Sequence, residues 1–301
     1  MVERVSDKDE VDGPIPSVPT FKNMIVDGIQ LSQEIKNQIK NDPVLKEISQ
    51  KQIIAIVVDE NEEIKRFIRQ KEKLASELGL VLKTLNFDKN ISLEELINEV
   101  EKLNNNQDVL GIIIQLPLPP HLDSPKLFNS ISVFKDIDLL SEAAFNSFYY
   151  QNNFISPPVV GAIDYIFKKY NVNIANKLAV VLGAGRLIGL PVLTWLAKNG
   201  AITLSFNDWL STYQDVLKSA DIIISGLGEP EIIKENFIKE GVILIDTGFN
   251  IKDEKICGDS DFESLKNKAS LITPVPKGIG PMTVALLFKN VLELYKISKN
   301  Q

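Results

Sequence analysis

The sequence predicts an α/β protein built as two αβα units facing a cleft, the second a Rossmann-like dinucleotide-binding unit. Three observations carry this. From residue 27 onward helical and strand periods alternate, the pattern of parallel sheets covered by helices. The 301 residues suffice for two separate cores. A glycine-rich turn, GAGRLIG at 183–189, follows an apolar run and opens a helical pattern, the context a dinucleotide-binding turn requires.

Each element has its own signal. Ile29, Leu31, Ile35 and Ile39 mark a first helix, IIAIVVD (53–59) a buried strand, and a charged helix then runs to Gly79, a residue suited to a C-cap. VLKTLNF (81–87) is a second strand. Ser92 with Glu95 forms a capping box for a helix ending in LNNN, and VLGIIIQL (109–116) is a third strand. That strand ends in an amide, Gln115, and then in Pro117, Pro119 and Pro120, which cannot continue a ladder. Ligands of open α/β sheets bind outside the carboxyl ends of the strands, so a polar side chain there is placed to meet one.

A second series follows SPPVVG (156–161): a helix to about Tyr170, then the strands LAVVLGA, AITLSFND, DIIISGLG and VILIDTGF with helices between them. These four strands are expected to form a second sheet, and GPMTVALLFKNVLELYKI (280–297) a long final helix. The expected division is a loose arm over residues 1–20, a catalytic unit over 21–155 plus 279–301, and a nucleotide unit over 156–278.

Hydrophobic content of 44% with 24% charged residues describes a globular chain. Net charge is −7 and Lys and Arg are dispersed, so no footprint for nucleic acid or a membrane surface exists. One cysteine, Cys257, and one histidine, His121, exclude an internal disulfide and a Cys/His zinc site, and no metal is expected. The first twenty residues are acidic and proline-bearing, and no later stretch approaches the ~20 apolar residues of a membrane helix. A cytoplasmic location is expected.

Gly183, Gly185 and Gly189 lack the Cβ that would keep a pyrophosphate from the backbone at a helix N-terminus. Arg186, Leu187 and Ile188 sit inside the same turn and are assigned to the cofactor with it. SGLG (225–228) brings Gly226 and Gly228 to a neighbouring strand end lining the same crevice. The intervening strand ends at Asn207 and Asp208, and a carboxylate there suits an adenine ribose 2′-hydroxyl but repels a 2′-phosphate. NAD is therefore favoured over NADP, with Arg186 the candidate ligand should a 2′-phosphate bind. The plainer readings are a tight turn without a ligand, and Asp208 as a cap of the next segment.

GIIIQLPLPPHLD (111–123), KDID (135–138), GDSDF (258–262) and TPVPKGIGPMT (273–283) together resemble the bifunctional methylenetetrahydrofolate dehydrogenase/methenyltetrahydrofolate cyclohydrolase family, over nearly the whole chain from about residue 24. The resemblance implies oxidation of 5,10-methylenetetrahydrofolate with a nicotinamide cofactor and hydrolysis of the product to 10-formyltetrahydrofolate, in a homodimer whose last helix returns to the first unit. It also implies that Lys71 in FIRQKEKLASELGL (67–80) is the catalytic lysine and Gln115 its active-site glutamine. Asp138 would hold the pterin, with Phe67 and Pro281 as further substrate contacts. A lysine partly withdrawn from water trades protons near neutral pH, which the hydrolysis needs. Without the resemblance, Lys71 reads as a solvated helix lysine, Gln115 as a strand-end amide and Asp138 as a loop cap. His121 reads as structural.

The chain also departs from the family pattern. Phe67 stands where tyrosine is usual, in front of it the loop reads DENEEIKR, Leu139 and Lys277 replace glycines, and SPPVVG replaces Pro-x-Thr-Pro-x-Gly. Ala184, Gly185, Phe206 and Asn207 replace residues that offer donors to a 2′-phosphate, which points again to NAD. Two further readings fit the same residues: a dehydrogenase-only member, and a non-catalytic folate or nucleotide-binding protein.

Overall fold

Local signals set the elements of the first half. In the computed structural model, which describes residues 23–150, 154–208 and 213–299, strand β1 (Met24–Ile25) leads into helix α1 (Gly28–Asn41). The expected arm over 1–20 lies outside the described residues. Asp27 caps α1 by accepting from the Gln30 amide, and Leu31, Ile35 and Ile39 form its buried stripe. After α2 (Val44–Glu47) come β2 (Gln52–Val58), α3 (Glu62–Glu77), β3 (Val81–Phe87), α4 (Leu93–Asn105) and β4 (Val109–Ile114). Asn61 caps α3, and the capping box of Ser92 and Glu95 opens α4. The strands pair in parallel in the order β3-β2-β4, and the central β2 is buried along nearly its whole length. Helices α5 (Ser124–Asn129) and α6 (Glu142–Tyr150) complete this half.

The second half continues with α7 (Pro158–Lys169), β5 (Leu178–Leu182), α8 (Gly189–Lys198), β6 (Ile202–Phe206), α9 (Gln214–Ser219), β7 (Ile222–Ser225) and β8 (Ile243–Asp246). The hairpin β9 (Asn250–Lys252) and β10 (Lys255–Cys257), α10 (Phe262–Leu265), β11 (Leu271–Ile272) and α11 (Ile279–Lys299) follow. The large sheet has six parallel strands in the order β1-β11-β8-β7-β5-β6. The four expected strands are therefore there, with two short additions at one edge. β1 pairs Met24 with Leu271 and Ile25 with Ile272, so the described chain begins in the second sheet before it builds the first. No α-helix joins β7 to β8: Gly228 and Pro230 interrupt the expected helix, and only a 3-10 turn at Glu235–Phe237 forms.

The last helix, α11, packs on α1 and α7 and reaches α3. Its buried Asn290 donates to the carbonyls of Ile137 (2.9 Å) and Ser156 (3.0 Å), tying the helix to the loops at both ends of α6. At its start Ser32 Oγ donates to Pro281 O (2.8 Å), and a Cβ on Gly28 would lie 1.7 Å from Gly278 O. The segment before α11 thus rests directly on α1. Among the described residues no helix is long and apolar enough to cross a membrane.

Two of the glycine replacements fall on left-handed backbone, Leu139 at φ +56° and Lys277 at φ +83°, a conformation that costs an L-residue roughly 1–2 kcal/mol. Lys277 is exposed, so Lys277→Gly is expected to stabilise the fold by roughly 0.5–1 kcal/mol after the added freedom of the unfolded chain is offset. Leu139 is 5% exposed, and losing its buried side chain outweighs the relief. Leu139→Gly is expected to destabilise by roughly 2–4 kcal/mol. Urea denaturation of both variants checks this, and shifts of the same sign would refute it.

Candidate functional site

The site begins with a lysine on the inner face of a helix. Ile64, Ile68 and Leu74 bury one face of α3, and Lys71 follows Ile68 by three residues, which brings it to the edge of that face. Its Nζ donates to Gln115 Oε1 at 2.8 Å. Gln115 is 8% exposed and lies just beyond β4, held by its backbone amide to Ile56 O (2.9 Å) and by Nε2 donating to Leu116 O (2.8 Å). The amide oxygen is thereby aimed at the lysine by the strand and by the turn into Pro117.

Burial pushes the Lys71 ammonium below its ordinary value, against the pull of the Asp138 charge. Burial pushes Asp138 up, with Lys71 opposing and Asp136 adding to the rise. Asp136 is fully buried and accepts from Leu140 N (2.9 Å), Ser141 N (2.7 Å) and Ser141 Oγ (2.6 Å). It shapes the loop that carries Asp138. Sequence reasoning passed over Asp136, although KDID displayed it two residues before Asp138.

A cleft of about 680 Å³ runs between the two sheets. Phe67, Lys71, Gln115, Asp138 and Pro281 line one side, and Leu187 and Ile188 of the glycine turn line the other. Phe67 meets Phe249 edge to face, with centroids 5.2 Å apart and planes at 61°. Phe249 and its neighbours Asp246, Thr247 and Gly248 also line the cleft, a contribution of the second half that the sequence did not signal. His121 makes a peripheral contact, its Nε2 lying 3.1 Å from Ile91 O.

On the nucleotide side Gly183 has φ +85°, and a Cβ there would come within 2.5 Å of Gly226 O. A Cβ on Gly189 would lie 1.9 Å from Gly183 O. Both glycines serve close approach of backbone to backbone, and beside them a Cβ on Gly185 would meet no atom within 4 Å. Asn207 Oδ1 accepts from Ala184 N at 3.0 Å, so that side chain holds the turn, while Asp208 is exposed. Arg186 departs from expectation. Its Nε donates to Leu140 O (3.0 Å), as does a terminal nitrogen, and its Cζ lies 5.1 Å from the Phe128 ring centroid. The guanidinium ties the turn to the first half instead of standing ready for a 2′-phosphate. Around Gly226 and Gly228 the amides of Leu227, Gly228 and Glu229 point inward to Asp259.

A buried lysine on one wall of the cleft and a glycine-rich strand-to-helix turn on the other are the arrangement of a nicotinamide-dependent oxidoreductase. The chain belongs to the tetrahydrofolate dehydrogenase/cyclohydrolase family: residues 26–138 match its catalytic domain and 157–299 its NAD(P)-binding domain. It is 34% identical over 274 residues to the bifunctional protein FolD of Clostridium tetani, covering 90% of this chain and 99% of that protein. The crystal structure of bifunctional FolD from Campylobacter jejuni superposes with a TM-score of 0.85 at 31% identity, covering 91% of this chain and 99% of that one. That of Trypanosoma brucei FolD, complexed with NADP and an inhibitor, gives 0.87 at 29%, covering 93% and 99%.

Asp246 is a second buried carboxyl in the cleft wall, accepting from Gly248 N (2.9 Å), Asp259 N (3.2 Å) and Ser260 N (2.8 Å). Burial, with the Asp259 charge adding, pushes it up to about 6 from an ordinary 3.8. The folded state therefore holds this proton more tightly than the unfolded one. Its stabilising contribution is complete below the ordinary value and is lost as pH rises through about 6, a change of about 3 kcal/mol. Asp246→Asn, which cannot ionise, is expected to gain about 2 kcal/mol of this relative to wild type between pH 4 and pH 7. Urea titrations at the two pH values measure it, and a pH-independent difference would refute the assignment.

Proposed function

We propose that the protein oxidises 5,10-methylenetetrahydrofolate to 5,10-methenyltetrahydrofolate and hydrolyses that product to 10-formyltetrahydrofolate. The Lys71 Nζ to Gln115 Oε1 hydrogen bond of 2.8 Å, inside a cleft shared with Asp138 and the glycine turn, carries the reading. When bound, the nicotinamide supplies an acceptor for the hydride that leaves the methylene bridge. Gln115 takes one N–H of Lys71 and fixes the nitrogen, leaving its other valences toward the cleft. With its proton affinity lowered by burial, Lys71 accepts a proton from the water that attacks the methenyl carbon and returns it to the departing nitrogen. Asp138 holds the pterin, Phe67 stacks on the aminobenzoate ring, and Pro281 borders the substrate.

Lys71→Met keeps length and apolar stem but carries no proton. It is expected to abolish the hydrolysis, lower the oxidation by ~10² to 10⁴, and leave dinucleotide affinity nearly unchanged. Separate assays of the two reactions check this, and retention of most of both activities in a folded variant would refute the assignment. The same assays on wild type decide the second reading, an oxidation-only enzyme, which Phe67 favours because it offers no hydroxyl to order water.

For the cofactor we favour NAD. Asn207 Oδ1 is engaged by Ala184 N, Arg186 by Leu140 O, and Asp208 brings a carboxylate to the ribose end. NAD is expected to bind at least tenfold more tightly than NADP in fluorescence titrations; tighter NADP binding would overturn this reading of the strand end.

We further infer a cytoplasmic homodimer. The single cysteine suits a reducing compartment. Among the described residues strand β6 ends the large sheet with no strand on its outer edge, and it carries Ile202 and Leu204 at 58% and 41% exposure, a surface suited to self-association. Ile202→Lys is expected to convert the dimer to monomer in sedimentation velocity. The packing of α11 on α1 and α3 supports grouping residues 279–301 with 21–155, apart from the short β1, while its packing on α7 ties the same helix to residues 158–169.

A further inference from the structure

Asp259 is fully buried and is not among the residues lining the cleft, yet its carboxylate gathers five donors. Oδ2 accepts from Ser225 Oγ (2.7 Å) and Leu227 N (2.8 Å), and Oδ1 from Gly228 N (3.0 Å), Glu229 N (3.0 Å) and Asn250 Nδ2 (3.1 Å). Three consecutive backbone amides converging on one point form the kind of concavity that binds an anion. Here the chain fills it with an anion of its own, so the turn after β7 offers none of these amides to a ligand.

The consequence reaches both walls of the nucleotide site. The turn that Asp259 shapes includes Gly226, whose carbonyl is the surface on which Gly183 rests at the distance where a Cβ would clash. On the other side a Cβ on Gly248 would lie 2.3 Å from Asp259 Oδ1, so the cleft-lining segment at Thr247–Phe249 is seated on the same carboxylate. Thr247 Oγ1 then donates to Ser225 O (2.5 Å), closing the arrangement. One buried carboxylate therefore sets the relative position of two segments that border the cleft.

We propose that Asp259 is a positioning residue for the dinucleotide: the internal anion that holds turn 225–229, on which Gly183 of the glycine turn rests, in the register the cofactor requires. This rests on the functional reading above and adds a residue that touches neither cofactor nor substrate. A group that merely stabilised the fold would affect both ligands alike. One that positions the turn affects the dinucleotide selectively.

The test is Asp259→Asn in the full chain. Asparagine keeps the shape but presents an NH₂ group to amides that need an acceptor. KM for the dinucleotide is expected to rise tenfold or more while KM for 5,10-methylenetetrahydrofolate stays within twofold. Ser225→Ala removes one donor from the same carboxylate at little cost to folding, and is expected to raise the dinucleotide KM about threefold with the folate KM unmoved. Equal movement of both KM values, or of neither, in a variant whose circular dichroism and melting match wild type would overturn the proposal. Wild type lacking dinucleotide-dependent oxidation altogether would instead refute the functional reading, which separates the two failures.

Discussion

An amine taken out of water by burial keeps its place only if a partner holds it, and the hydrogen bond from Lys71 to Gln115 does that. Much of the first half is arranged around it. The lysine reaches its position because the apolar stripe of α3 is buried to either side of it, at Ile68 and Leu74. The glutamine reaches its own because β4 ends one residue earlier and the strand ladder fixes its backbone through Ile56. Burial lowers the proton affinity of the amine, and Asp138 opposes that shift. Too much desolvation would leave the amine permanently neutral, and a closer carboxylate would keep it permanently charged. The amide is a neutral acceptor that fixes the nitrogen and biases neither state strongly.

The second half answers a different constraint, backbone packed on backbone. Gly189 lies against the backbone of Gly183 and Gly183 against that of Gly226, while Gly248 lies against the buried Asp259 carboxylate, each at distances that exclude a Cβ. A stack of this kind transmits position well because nothing flexible lies within it, but it needs a fixed base. Buried carboxylates provide that base. Asp246 and Asp259 accept three and five hydrogen bonds respectively, and Asp136 plays the corresponding part for the loop before α6. All three organise loops through main-chain donors, which explains how irregular segments can be held rigidly beside a cleft.

What the sequence revealed divides along the same line. Features written in neighbouring residues were legible: the capping box at Ser92 and Glu95, the apolar runs of β2 and β4, the glycine turn, and the amide at a strand exit. Lys71 was singled out only by the family resemblance, since on α3 it is one of several charged residues and its partner lies 44 positions away. Two-residue strands such as β1 and β11 contain no period to detect, and the β9–β10 hairpin turns on Asp253 and Glu254 at positive φ, a pair outside the usual Asn-Gly and Asp-Gly signals. The inward turning of the 227–229 amides was equally hidden, because Asp259 sits some 30 positions away in sequence.

Two residues beside the cleft hold a backbone conformation that ordinarily favours glycine. Leu139 and Lys277 keep the left-handed backbone their positions require although neither residue type favours it. Strain of that size persists only where surroundings over-determine the conformation, and both positions have such surroundings. Leu139 lies between Asp138 and the amides of Leu140 and Ser141 that Asp136 holds, with its own side chain buried. The carbonyl oxygen of Lys277 accepts from Gly28 N (3.0 Å), directly before the close contact of Gly278 with Gly28. In each case the hydrogen-bonded loop dictates φ and the residue complies. The loops flanking the cleft are therefore stiffer than their composition suggests, and Asp138 and Pro281, which line it, lie close in sequence to these two held positions.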